Sequence, residues 1–197
     1  MPFQNSLNAL SFERILAIAE EVLPDSNPDI EIYHMLLEAT ERLMHPDRNT
    51  ITLVAITHMA YGWMPTMLTL HFKELNDVDV WPFIDHGSFD PAFLSTLKGF
   101  TNNSIVGASK LLHFCQPEIY PIWDSRVYKR ISGDDRRPDW IINKVSNYIA
   151  YASRVRTLVL NPQAAQQIEE LRQILLDRRV ILGYESPIRL VELTLWL

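Results

Sequence analysis

Apolar residues recur along most of this chain at the three- and four-residue spacing of amphipathic helices. In the first such segment, Ile15, Leu16, Ala19 and Leu23 share one face behind a capping Ser11. No run alternates between apolar and polar positions as a half-buried strand would, and no internal repeat is present. The pattern predicts an all-α protein of eight to eleven helices.

Prolines mark where several of these helices begin. A capping residue directly before a proline is typical of a helix start, because proline is well tolerated at the first helical position. This pair occurs at Asp90-Pro91, Asn161-Pro162 and Ser186-Pro187. Pro138 is predicted to open a long helix that runs towards Leu160, and Pro162 another that ends near Arg179.

Residues 49–72 contain no Asp, Glu, Lys or Arg, which is about the length of a membrane span. Gly62 and Pro65 interrupt the segment near its middle, and it also holds five threonines and two histidines. We expect two shorter buried helices here and no association with a membrane.

The composition is that of a globular protein, with 47% hydrophobic and 21% charged residues. It excludes a disordered chain and a disulfide scaffold, since Cys115 is the single cysteine. No leader sequence is recognisable at the N-terminus, so we expect a reducing, cytoplasmic location. Residues 1–197 are predicted to form one all-α domain; the oligomeric state is left open.

Charge divides the chain into two parts. Residues 1–90 carry a net charge of −10, whereas residues 91–197 carry +4. Such a division is expected if the second part meets a polyanion, and equally if the two parts attract each other.

The segment 101–131 contains the strongest candidate chemistry. A polar turn precedes a helix from Ser104 to about Phe114, and a loop with two prolines leads to Asp124, at the predicted N-cap of the next helix. Lys110 and His113 lie one turn apart on the first helix and so share a face. A tight return of the loop would bring that face towards Asp124.

This segment resembles the helix-hairpin-helix DNA glycosylases, particularly their 8-oxoguanine branch. The likeness lies in a helix with a small residue, Ala108, then an apolar run, then Pro121-Ile-Trp-Asp124 before a helix. The resemblance implies an all-α glycosylase-like fold, and a role for Asp124 in stabilising the positive charge that develops on the sugar as the base departs. Lys110 would be a nucleophile or a charge partner of Asp124, and His113 would position it.

Two departures from the family leave alternatives open. The glycine-rich turn that holds a DNA phosphate in the family is reduced here to one glycine, within a stretch of candidate phosphate contacts: Asn102, Asn103, Ser104 and Gly107. The only nearby lysine, Lys110, follows the small residue instead of preceding it. Lys110 reaches the site from a shifted register, or Asp124 acts with water, or the scaffold persists without the chemistry.

A nucleic-acid substrate also requires cations for its phosphates and apolar walls for an extruded base. The candidate phosphate contacts beyond the turn are Arg126, Lys129, Arg130, Arg136 and Arg137. The candidate walls of a base pocket are Trp63, Trp81, Phe83 and Trp123. Equally plausible roles are local ion pairs for the arginines around Asp134, and core packing for the aromatic residues.

Other chemistries have no support in the sequence. Glu31 and His34 have a spacing found in di-iron bundles, but no second such pair exists. No zinc pattern, phosphate-binding glycine loop or dinucleotide fingerprint is present, so we expect neither a metal nor a cofactor.

The predicted function is recognition of a nucleic-acid base or nucleotide, with cleavage of its N-glycosidic bond. The alternative is a non-catalytic helical module that binds a protein or a nucleic acid, in which Lys110 and Asp124 form a structural ion pair.

Overall fold

The computed structural model describes residues 3–22, 29–45, 48–62, 67–75, 78–136 and 138–197. Within these ranges the chain forms twelve α-helices and two short 3₁₀ helices, and the only pairing of extended backbone is an isolated bridge between Leu70 and Thr101. The predicted all-α class is therefore confirmed. The α-helices are α1 (Phe3–Asn8), α2 (Phe12–Val22), α3 (Ile30–Met44), α4 (Thr50–Tyr61), α5 (Trp81–Asp85), α6 (Pro91–Phe100), α7 (Ile105–Cys115), α8 (Ser125–Ser132), α9 (Asp139–Ile142), α10 (Val145–Val159), α11 (Ala165–Asp177) and α12 (Pro187–Trp196). The 3₁₀ helices are Phe72–Leu75 and Pro162–Ala164.

The three predicted starts at cap–proline pairs are all found. Asp90 Oδ1 accepts a hydrogen bond of 2.8 Å from the amide of Phe93 at the start of α6. Ser186 and Asn161 accept equivalent bonds at the starts of α12 and the second 3₁₀ helix. Each of these side chains satisfies an amide that the first turn of a helix leaves without a partner.

Two predicted elements differ in the structure. The long helix expected from Pro138 is divided at Asn143 and Lys144 into α9 and α10. There the Asn143 side chain leaves the helix to bond the hairpin before α7, accepting from the amide of Ile105 and donating to Asn103 O, each over 2.9 Å. In the uncharged segment 49–72, α4 forms as expected but residues 67–71 are not helical. No helix among the described residues is both long and apolar enough to span a membrane.

Two helices occupy the centre of the fold. One is α7, which packs against α3, α4 and α6, and the other is α12, which packs against α2, α8, α10 and α11. One hydrophobic core includes residues from both the acidic and the basic part of the sequence. The candidate segment includes the central helix α7, and it ends in α8, which packs against the other central helix, α12.

Close packing of α7 on α4 depends on Gly107. A Cβ atom at this position would stand 2.0 Å from the Tyr61 hydroxyl, far inside van der Waals contact. Gly107, in the first turn of α7, is therefore required by helix packing.

Candidate functional site

Asp124 is the N-cap of α8, as predicted, and both of its oxygens are hydrogen-bonded. Oδ1 accepts from the amides of Arg126 and Val127 over 2.8 and 3.1 Å. Oδ2 accepts from the indole Nε1 of Trp196 over 2.9 Å. Since the cap and the indole hold opposite oxygens, the carboxylate has one fixed orientation at the positive end of the helix.

Trp196 connects Asp124 to a basic hollow on the surface. The Arg126 guanidinium lies 4.4 Å from the centre of the Trp196 ring. Together with Lys129 and Arg130, these side chains line a hollow of about 370 Å³. An anion that enters this hollow meets three cations on one side of α8 and the flat face of an indole.

Lys110 is half-buried on α7 and forms no hydrogen bond, and no ion pair within 4.0 Å, with any described residue. Burial lowers the pKa of its ammonium group from the usual 10.5, and the charge of Arg126 lowers it further. The carboxylates of Asp124 and Glu192 act in the opposite direction but do not cancel the effect of burial. The amine is thus more readily deprotonated than an exposed lysine, which is what a nucleophilic lysine requires.

Ser109 links the chain at the two candidate residues, although no pattern in the sequence singles it out. Its hydroxyl accepts a hydrogen bond of 3.1 Å from the amide of Trp123, and its one proton is shared between the carbonyls of Val106 at 2.8 Å and Trp123 at 3.2 Å. Ser109 directly precedes Lys110, and Trp123 directly precedes Asp124. The fully buried clamp therefore fixes the separation between α7 and the start of α8.

His113 does not face Lys110. It is completely buried, and its Nδ1–H donates to the carbonyl of Tyr120 while Nε2 accepts from the Tyr33 hydroxyl, both over 2.8 Å. Burial, assisted by the positive charge of Arg189, lowers the pKa of His113 to about 3. The ring is neutral and fully engaged in the core, so the predicted role in positioning Lys110 is replaced by a role in joining α3, α7 and the proline loop.

The hairpin before α7 uses its backbone amides within the protein. Asn102 and Asn103 have positive φ angles, and Ser104 caps α7 by accepting from the amide of Gly107. The amide of residue 102 donates to Thr69 O, that of residue 104 to Thr101 O, and that of residue 105 to the Asn143 side chain. A phosphate bound at this turn would therefore compete with acceptors inside the protein for the same backbone amides.

Several of the predicted basic contacts are held by nearby carboxylates. Arg136 forms a forked pair with Asp134 at 2.9 Å on both oxygens, and it lowers the pKa of Asp134 to about 2. Lys129 contacts Asp135 at 2.6 Å. These are the local ion pairs that the sequence offered as an alternative; Arg137 lies outside the described residues. Arg126 and Arg130 form no ion pair with a described residue.

The predicted aromatic walls do not surround Asp124. Trp123 is fully buried, with Nε1 donating to Ile142 O over 2.8 Å, and Trp81 is 5% exposed. Phe83 is partly exposed and stacks on Phe93 with the ring centres 5.1 Å apart. These three aromatic residues thus pack within the protein, as most large aromatic side chains of a globular chain do. Trp63 lies outside the described residues. Among the described residues, the aromatic side chain hydrogen-bonded to Asp124 is Trp196, which no feature of the local sequence marks.

A group of buried polar atoms behind the site has no hydrogen-bond partner among the described residues. It comprises Glu192 Oε1, Arg189 Nε and the hydroxyls of Tyr148 and Tyr151. Glu192 is nevertheless ion-paired with Arg189 through its other oxygen.

Cys115 is also buried, and the resulting rise in the pKa of its thiol to about 12 argues against thiolate chemistry.

No family model, curated protein or solved structure matches the chain.

Proposed function

We propose that this protein recognises a nucleic-acid base or nucleotide and cleaves its N-glycosidic bond, with Lys110 and Asp124 as the reacting groups. The observation that carries the proposal is the state of Lys110. Its amine is partly withdrawn from water without being paired to a carboxylate within 4.0 Å, and the clamp through Ser109 holds the backbone before Lys110 against the backbone before Asp124. A structural ion pair would instead bring the two groups within 4.0 Å.

The reaction would proceed by one of two routes. In the first, the Lys110 amine attacks the anomeric carbon, and the base leaves with the bonding electron pair and takes up a proton. The nitrogen then forms a double bond to this carbon while the bond from the carbon to the ring oxygen breaks; the oxygen takes up a proton as the nitrogen loses one, which gives an imine with the opened sugar. In the second, water is the nucleophile and Lys110 contributes charge. In both, the fixed Asp124 carboxylate stabilises the positive charge on the sugar ring in the transition state.

The basic hollow supports a substrate that carries phosphate. Arg126 and Arg130 have no carboxylate partner among the described residues, and they lie on the helix that Asp124 caps. A nucleotide whose phosphate occupies this hollow would have its sugar close to the Asp124 end of α8.

The test combines base release with covalent trapping. Duplex and single-stranded oligonucleotides that carry a panel of modified bases or an abasic site are incubated with the protein, with and without sodium borohydride. We expect base release that falls at least about 100-fold in Asp124→Asn, and a borohydride-trapped complex that is absent in Lys110→Gln. Arg136→Gln, away from the hollow, is the matched control. Release without trapping would select the water route, and a complete lack of release and trapping would reject the proposal.

The alternative is a non-catalytic helical binding module. The observation that favours it is the hairpin, whose amides at residues 102, 104, 105 and 107 all donate within the protein. A module of this kind would bind nucleic acid or a partner protein without any effect of Asp124→Asn on a chemical step.

A further inference from the structure

A second concave surface lies on the acidic part of the protein. It is a groove of about 840 Å³ between α3, the loop that follows α7, and the loop before α12. It shares no lining residue with the basic hollow on α8. An inference about this groove is therefore independent of the proposed glycosidic chemistry.

One face of α3 forms the length of the groove. The residues that line it recur every three or four positions, from Glu31 through Met35, Glu38 and Glu41 to His45. Fourteen residue steps at ~1.5 Å each give a face about 21 Å long. This length matches four turns of a second helix laid beside α3.

The rim of the groove carries excess negative charge. Glu31 and Glu41 on α3 and Glu118 on the opposite side form no ion pair with any described residue. Arg48, the one arginine among the described residues that line the groove, is already paired with Asp85. A ligand in this groove is favoured if it supplies several positive charges.

The floor of the groove is apolar, and several of its side chains are exposed. Met35 is 65% exposed, Tyr184 69% and Leu182 46%, and the buried Phe114 and Cys115 lie beneath them. Exposed large apolar side chains that converge from two elements indicate a binding surface. Methionine suits such a surface because its flexible, polarisable side chain adapts to different apolar partners.

The far wall is held in place before any ligand binds. The Glu185 carboxylate accepts from the amides of Leu182 and Gly183 over 2.7 and 2.8 Å, and it contacts His34 Nε2 on α3 at 2.9 Å. Arg172 Nη1 donates to the carbonyls of Gly183 and Glu185. Since this loop is bonded to both α3 and α11, the groove needs little ordering on binding.

We propose that this groove binds a basic amphipathic helix of a partner protein, about fourteen residues long. The apolar face of the helix would rest on Met35, Leu182 and Tyr184, and its lysine or arginine residues would meet Glu31, Glu41 and Glu118. This is the helix-in-groove mode of recognition, with apolar anchors at three- and four-residue spacing. The negative rim repels nucleic acid, so the occupant differs in chemistry from the ligand of the basic hollow.

The experiment uses two synthetic fourteen-residue helical peptides with the same leucine face, one with lysine and one with glutamate on the polar face. Their binding to the whole protein is measured by fluorescence anisotropy. In parallel, the methionine methyl groups are observed by NMR after carbon-13 labelling. We expect the lysine peptide alone to bind and to shift the methyl signals of Met35 and Met44. The signal of Met67, which is 91% exposed outside the groove, should not move.

The variants locate the binding. Glu31→Lys/Glu41→Lys should weaken the lysine peptide at least 10-fold, whereas Glu20→Lys/Glu21→Lys, the same charge change on exposed positions of α2, should not. Three results would overturn the proposal: both peptides bind equally, both double variants lose the same affinity for the lysine peptide, or the methyl signal of Met35 does not shift. Shifts of Met35 that grow with protein concentration in the absence of peptide would also overturn it, since the occupant would then be a second copy of the chain.

Discussion

Asp124 and Trp196 are 72 residues apart in the sequence, yet the indole Nε1 of Trp196 donates to Asp124 Oδ2 over 2.9 Å. The same indole carries the Arg126 guanidinium on its face and lines the basic hollow. The last helix of the fold thus completes the candidate site, and a residue at its end fixes the orientation of the carboxylate.

Trp196→Phe tests this relationship. Phenylalanine retains a ring for Arg126 to stack on but removes the donor to Asp124. We expect a loss of about 1 kcal/mol in the free energy of unfolding, the usual net value of one hydrogen bond. Urea unfolding measures it, with Trp140→Phe as the control because Trp140 is 75% exposed and should change little. Equal stability of Trp196→Phe and the parent would show that the bond does not contribute.

Lys110→Met tests whether Lys110 serves structure or chemistry. Methionine fills the same space without a charge that burial disfavours, so we expect stability at pH 7 to be unchanged or higher by about 1 kcal/mol. A lysine with a lowered pKa binds fewer protons in the folded than in the unfolded state as the pH rises from its folded pKa towards 10.5. The parent should therefore gain stability relative to Lys110→Met across that alkaline range.

Unfolding of both proteins at pH 7 and pH 10 provides the measurement. A structural ion pair would give a different result. Lys110→Met and Asp124→Asn would each lower stability markedly at pH 7, and the loss in the double variant would be smaller than the sum of the two single losses. That result would favour the non-catalytic alternative.

His113→Gln tests the neutral histidine in the core. The folded protein keeps His113 uncharged down to about pH 3, whereas the unfolded chain takes up a proton near pH 6.5. Stability from this group is therefore complete above pH 6.5 and is lost progressively as the pH falls towards 3. Between pH 7.5 and pH 5 we expect the parent to lose about 2 kcal/mol more than His113→Gln. Parallel pH profiles of the two proteins would contradict the assignment.

Gly107→Ala tests the close approach of α7 and α4. The added methyl group would meet the Tyr61 hydroxyl at 2.0 Å, so we expect destabilisation by about 3 kcal/mol. Tyr61→Phe removes that hydroxyl and should recover part of the loss, even though it also removes the bond of 3.3 Å to Thr101 O. Thermal unfolding of the two single variants and the double variant measures the coupling; strictly additive losses would show that the two positions do not clash.

Arg126→Gln and Arg130→Gln test the basic hollow as a phosphate site. Each should weaken binding of a short oligonucleotide and reduce the slope of log affinity against log salt by about 1. Arg136→Gln is the matched control, because the Arg136 side chain is occupied by Asp134. Anisotropy over a salt series measures both quantities, and identical slopes for all three variants would remove the hollow from the binding surface.

Local sequence determined much of this protein. Helical spacing of apolar residues established the all-α class, and short-range capping chemistry located several helix starts, including Asp124 before α8. These features depend on residues three or four positions apart, so a single sequence is enough to predict them. The division of the helix after Pro138 was missed because it depends on Asn143 bonding to a hairpin some forty residues away.

The surroundings of Asp124 depend on contacts between residues far apart in the sequence. His113 shares a helical face with Lys110 in the sequence, but contact with Tyr33 draws it into the core. Trp123 is next to Asp124 in the chain and is buried, while the distant Trp196 makes the contact. Residue type and spacing define what a side chain is able to do. Which side chains meet depends on how helices far apart in the sequence share one hydrophobic core.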